Sequence, residues 1–175
     1  LKETEKIIKD ALKINHKRQM LLFYLGETQL LKRSGASDIQ GFWTLNEAML
    51  LEPNAAYSHW LLGKTYLFYK LPEGAVREIE KALEIGYRVE DPQELDQLIS
   101  FFSAMKREKT VNVFLQQLAE RDPKNPRNFT RLATSYLAIG DKESALKSAE
   151  KAFELDQKLK ESQGAKELME AIRIP

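Results

Sequence analysis

Cysteine is absent from the chain, so it can build no disulfide framework, thiolate nucleophile, cysteine-ligated zinc site or iron–sulfur cluster. Histidine is almost as scarce. His16 and His59 stand 43 residues apart, and neither falls in an HExxH spacing, so a metal centre of the common imidazole type has no ligand set to draw on. Glycine and proline number 8 and 6 in 175 residues, too few for a collagen-like or loop-rich chain. A charge excess is missing too: 27 Lys and Arg face 26 Asp and Glu, a net charge of +1. No global attraction therefore draws the chain onto nucleic acid or an anionic bilayer, and nucleic acid is not an expected partner. Long apolar runs are lacking as well. The longest, Met20 to Leu25, is far short of the ~20 residues of a membrane helix, so no direct membrane span is expected.

What remains is 43% hydrophobic and 30% charged residues, the composition of a helical protein rather than a disordered one. A repeat organises it. The segments starting at Ala48 (Ala-Met-Leu-Leu-Glu-Pro), Ala82 (Ala-Leu-Glu-Ile-Gly-Tyr), Leu118 (Leu-Ala-Glu-Arg-Asp-Pro) and Ala152 (Ala-Phe-Glu-Leu-Asp-Gln) are spaced by 34, 36 and 34 residues, and an earlier copy starts at Ala11. A second series runs in step: Leu25-Gly26, Leu62-Gly63, Leu98-Ile99 and Leu132-Ala133, with Gln29, Tyr66, Phe102 and Tyr136 three residues beyond. A period in this range means stacked supersecondary units, each burying its apolar face on its neighbours.

These residues resemble the tetratricopeptide repeat, a 34-residue helix–turn–helix unit. Leu62, Gly63, Tyr66, Ala75, Ile79 and Ala82 match its pattern best, followed by Leu132, Tyr136, Ala145 and Ala152. His16, Tyr87 and Gln157 stand where the pattern ends in proline, and Gly41 and Val111 replace an internal alanine. The resemblance implies an all-α fold, a right-handed superhelical solenoid of antiparallel helix pairs. We expect one domain over 1–175: a half repeat at 1–16, repeats at 18–53, 54–87, 91–123 and 125–157, and a capping helix at 158–175. About ten helices are expected, at 2–15, 18–33, 39–51, 54–70, 73–86, 92–105, 107–121, 126–139, 141–156 and 159–172. Small residues at Gly63, Ala75 and Ala82 would let paired helices approach closely. Asp91-Pro92, Asn125-Pro126 and Leu71-Pro72 read as helix starts, and Gly140-Asp141 as a stop followed by a start. Arg33 to Asp38 reads as a long, mobile connection, and Tyr87 to Glu90 as an extra-length loop where the array bends.

Chemistry is hard to find. No phosphate-binding glycine loop is present, His16 reads as a loop residue, His59 as a surface residue beside the groove, and Glu78/Glu80 and Glu94/Asp96 as solvated carboxylates. No catalytic residue, metal or cofactor is assigned, and the chain is not expected to be an enzyme. The resemblance instead implies a groove lined by the first helix of each pair, where a protein or peptide partner lies. By spacing, the groove residues are Met20, Phe23, Tyr24 and Glu27, then Tyr57, Trp60, Leu61, Lys64 and Phe68, then Gln97, and finally Arg127 and Arg131, with Leu30 and Leu31 one turn beyond the first set. It runs from aromatic to polar. The aromatic patch reads either as a binding site or as rings that fill the space between repeats or cover a missing N-terminal repeat. The clamp of Lys, Asn and Arg by which one subgroup of the family holds chaperone tails is not matched, since Phe23 and Trp60 take polar positions of that clamp. More weakly, the chain is similar to the soluble repeat tail of bacterial O-antigen ligase and polymerase membrane proteins. That would attach it to a membrane domain upstream of Leu1 and place any glycan chemistry outside it.

Overall fold

The computed structural model describes residues 1–15, 19–32, 35–51 and 55–157, together with Glu170 and Ile172. Among them are nine α-helices and no strand: α1 (Lys2–Ile14), α2 (Gln19–Leu31), α3 (Gly35–Leu51), α4 (Ala56–Phe68), α5 (Pro72–Glu84), α6 (Pro92–Ala104), α7 (Glu108–Arg121), α8 (Pro126–Ala138) and α9 (Lys142–Gln157). Helix starts follow the sequence signals. Asp91 and Asn125 accept hydrogen bonds from the N–H groups of Gln93 and Arg127 at 2.9 and 3.1 Å, and Asp141 accepts from Ser144 at 3.0 Å, each satisfying a donor that the first turn leaves unpaired. Pro72, Pro92 and Pro126 occupy first-turn positions, where a missing N–H costs nothing.

One turn geometry recurs. Lys70, Gly86, Lys106 and Gly140 adopt positive φ, at 56°, 103°, 56° and 84°. The next residue's N–H then reaches back five residues, from Leu71 to Tyr66, Tyr87 to Ala82, Arg107 to Phe102 and Asp141 to Tyr136, each at 2.9 to 3.0 Å. This left-handed cap closes the orphan carbonyls of the last turn. At Lys70, Lys106 and Gly140 it leads within two residues into the next helix, so α4/α5, α6/α7 and α8/α9 form tight helix hairpins.

The chain divides into two units, Leu1–Tyr87 and Arg88–Pro175. In the first, α2 packs on α3 and α4 on α5 because glycine opens the contact. A Cβ on Gly63 would lie 2.5 Å from Ile79 Cγ1, and one on Gly26 would lie 2.7 Å from Leu45 Cγ. The core gathers Leu22, Phe23, Leu45, Ala48 and Leu61. Gln19 ties three helices together, its Nε2 donating to Ala48 O at 3.2 Å and to Ser58 Oγ at 3.0 Å. In the second unit Ala133, Ala145 and Ala149 let α8 and α9 close on one another, with Ile172 buried against them. Phe102 and Phe114 meet at 5.4 Å between α6 and α7.

One expectation is corrected. Gly35 to Asp38 belong to α3, so most of the supposed connection is helix, while Arg33 and Ser34 lie outside the described residues. Its composition reads as a loop, yet Ser and Asp are also favoured in a first helical turn. Within the second unit, buried Val89 donates its N–H to Gln117 Oε1 at 2.9 Å. His16 and the expected cap at 158–175, apart from Glu170 and Ile172, fall outside the described residues.

Candidate functional site

α2 and α4 are the first helices of two successive pairs, and both are apolar on nearly all sides. Each has to meet its own partner helix and a neighbour while presenting one remaining face. Between them lies a cleft of about 190 Å³ lined by Glu27, Leu30 and Leu31 of α2 and Leu61, Lys64, Thr65 and Phe68 of α4. Leu31 and Phe68 are 57% and 52% exposed, unusual values for large apolar side chains facing each other across a cleft. Met20 and Tyr24 continue the exposed apolar row along α2, at 44% and 46%.

The rest of the spacing-derived set divides by burial. Phe23 and Trp60, expected to face the groove, are 1% and 2% exposed, which removes them as direct contacts. Phe23 meets Tyr57 edge-on at 6.0 Å. Trp60 is covered on one side by Tyr87, stacked at 4.5 Å, with Lys64 Nζ 5.9 Å from its ring centre. Leu61 is buried yet still forms part of the cleft wall. Tyr57 is half-buried. Burial first, then the nearby Glu27 carboxylate and Tyr24, push its hydroxyl above the usual 10.0, so it stays a neutral donor at physiological pH.

Gln97, Arg127 and Arg131 belong to the second unit and do not line this cleft. Gln97 and Arg127 are exposed, and Arg131 pairs with Asp96 at 2.7 Å across α8 and α6. Asp96 and Arg131 stand two and one residues before the paired positions of their repeats, as Phe23 and Leu61 do in theirs. Matching faces therefore carry an ion pair in one unit and apolar side chains in the other. Thr65 is not among the residues the spacing points to. Its hydroxyl donates to Leu61 O at 2.8 Å, which leaves its methyl group as an apolar lining.

His59 and Glu78 correct a further expectation. Both are buried, and His59 Nδ1 lies 2.8 Å from Glu78 Oε2 while Arg77 Nε donates to Glu78 Oε1 at 2.9 Å. The buried His59–Glu78 pair joins α4 to α5, and the exposed Arg77 reaches Glu78 from the surface. Among the described residues no three His, Asp or Glu side chains gather to hold a metal ion, and no helix is long and apolar enough to cross a membrane. The cleft itself offers apolar walls, one carboxylate and one ammonium, an arrangement suited to holding side chains in place.

No family model and no curated protein sequence matches the chain. Solved structures do. The crystal structure of YrrB, described as a TPR protein with an unusual peptide-binding site, aligns over 94% of this chain and 90% of its own at 16% identity and a TM-score of 0.55. TTC0263, a thermophilic TPR protein of Thermus thermophilus, aligns over 97% and 89% at 19% identity and a TM-score of 0.50. A structure of Naa15/Naa10 bound to HypK-THB aligns over 83% of this chain and 21% of its own at 19% identity and a TM-score of 0.65. The weaker similarity to O-antigen ligase tails gains no support from these likenesses. With its period of about 34 residues, its glycine- and alanine-mediated helix pairs and these structural neighbours, the chain has the helix-pair fold of the tetratricopeptide-repeat proteins.

Proposed function

We propose that the chain is a non-catalytic interaction module that binds a peptide or short helix of a protein partner along the α2/α4 face. The observation that carries this reading is the apolar cleft, in which Leu31 and Phe68 stay half-exposed across from one another between Glu27 and Lys64. Large apolar side chains held open to water are stabilised when another surface covers them. The peptide-binding site named for YrrB is a precedent on the same fold. Near-zero net charge agrees with a protein rather than a nucleic-acid partner.

Selection from a peptide display library, followed by titration, tests the reading. Phe68→Ala and Leu31→Ser should each weaken the selected peptides at least ~10-fold while leaving the melting temperature within ~2 °C, because both side chains are half-exposed. Peptides that bind these variants as well as the unaltered chain would place the site elsewhere.

A further inference from the structure

A polar recess of about 460 Å³ opens beside α2, walled on its other sides by residues of α1 and α3. One repeat later the equivalent space is closed. Glu5 and Gln29, which line the recess, are matched 37 positions on by Phe42 and Tyr66, whose rings meet at 5.5 Å between α3 and α4. The fold can therefore fill this space with apolar rings. Here it holds instead a carboxylate and a carboxamide that are only 9% and 3% exposed. Burying such groups is costly unless their hydrogen-bonding capacity is met, so packing by itself does not account for the opening.

The partners of these groups define what the recess can hold. Glu5 is fully engaged, through Oε1 with Lys9 Nζ at 2.6 Å and through Oε2 with Lys32. Two ammonium groups around one carboxylate leave a surplus positive charge on that side, and Lys9 still has donors to offer. Gln29 Oε1 lies 2.9 Å from Thr44 Oγ1, while among the described residues its amide nitrogen has no acceptor. A nearly buried donor thus lines the recess unmet. From α3 comes Glu47, exposed and, among the described residues, in no ion pair. The recess is neutral as a whole, with its positive surplus around Glu5 of α1 and its negative charge on α3, and Leu22 and Leu25 of α2 give it an apolar stretch. We infer that it binds a free amino acid. The ligand's carboxylate meets Lys9 and the Gln29 amide, its ammonium meets Glu47, and an apolar side chain lies on Leu22 and Leu25. The volume is that of a small-molecule site. A simple ion of either sign would satisfy one side and leave the other unmet, whereas a zwitterion satisfies both. No residue of the recess lines the α2/α4 cleft, and the inference does not rest on that cleft.

Ligand-observed NMR titration of the full chain with the twenty standard L-amino acids tests the inference. At least one with an apolar side chain is expected to bind with a Kd of ~1 mM or tighter. Its N-acetyl and carboxamide derivatives, each lacking one of the two charges, should bind at least ~10-fold more weakly. Glu47→Gln, a change at an exposed side chain, should keep the melting temperature within ~2 °C. It should weaken the free amino acid at least ~10-fold and leave the affinity of the N-acetyl derivative unchanged, since that derivative brings no ammonium to Glu47. Lys9→Gln should weaken the N-acetyl derivative and spare the carboxamide. Phe68→Ala should alter none of these affinities, because it belongs to the cleft. The inference is overturned if no amino acid binds at ~10 mM, if either derivative binds as tightly as the free amino acid, or if Glu47→Gln affects the free and the acetylated ligand alike.

Discussion

The ring of Tyr87 lies against the indole of Trp60 at 4.5 Å and 20° from parallel, and it approaches Tyr57 at 6.4 Å. Tyr87 stands where the repeat pattern has proline, directly after Gly86 with its φ of 103°. The left-handed turn at Gly86 leads directly into Tyr87, whose ring stacks on the buried indole of Trp60.

Trp60→Ala is therefore expected to destabilise the protein by ~3–5 kcal/mol, as removal of a buried aromatic ring does. Tyr87→Ala is expected to cost ~1–2 kcal/mol, since its ring is only partly buried and its stacking is the main loss. Urea unfolding of the two variants checks the order. A Trp60→Ala variant as stable as the unaltered chain would return Trp60 to the free groove residues.

Gly63→Ala should destabilise by ~1–3 kcal/mol, because the new methyl group would meet Ile79 Cγ1 at 2.5 Å and the Ile79 backbone nitrogen at 3.1 Å. Pairing it with Ile79→Ala removes the side-chain clash and leaves the backbone one. The double variant should thus be more stable than the sum of the single losses predicts, and a denaturation cycle measures the difference.

Lys106 holds a φ of 56°, a conformation that costs a residue with a Cβ ~1–2 kcal/mol and glycine almost nothing. Part of that gain is offset by the greater freedom glycine has in the unfolded chain. Lys106→Gly should raise stability by ~0.5–1 kcal/mol, and thermal melts should show it. Gly140→Lys, the reverse change at an equivalent cap with φ of 84°, should lower it.

Asp141 caps α9, and its hydrogen bond from the Ser144 N–H, followed by the Ser144 side chain and the Lys147 charge, holds its carboxyl below the usual 3.8. A carboxyl depressed on folding binds its proton more readily in the unfolded chain. The stability it adds is fully present above about pH 4 and is lost as pH falls through the folded-state value. Asp141→Asn keeps a capping oxygen without the charge, so the acid side of its stability profile should be flatter than that of the unaltered chain below about pH 4.

Much of the candidate site was legible in the repeat spacing. Leu61, Lys64 and Phe68 fall on one side of α4, and Glu27 with Leu30 and Leu31 on the facing side of α2, because one turn of helix separates them. The spacing also put Phe23 and Trp60 on that side, and there it could not tell a lining residue from a covered one. Exposure depends on what comes to lie over a residue, and Trp60 is covered by a ring 27 positions later in the chain. His59 and Glu78 show the same limit in reverse. Each reads as an ordinary polar helix residue, and only the approach of α5 to α4 makes them a buried pair.

The sequence by itself determined the helix pairs: their period, their proline and aspartate starts, their glycine stops and the small residues that admit close packing, all set by interactions within a few residues or by a repeated side-chain size. Tertiary structure decided which aromatic rings are core and which are surface, that Arg131 is tied to Asp96, and that Ile39, Trp43 and Leu50 of α3 stay largely exposed. The physical reason is that periodicity specifies a direction around a helix axis, whereas burial is the area that distant residues remove from water.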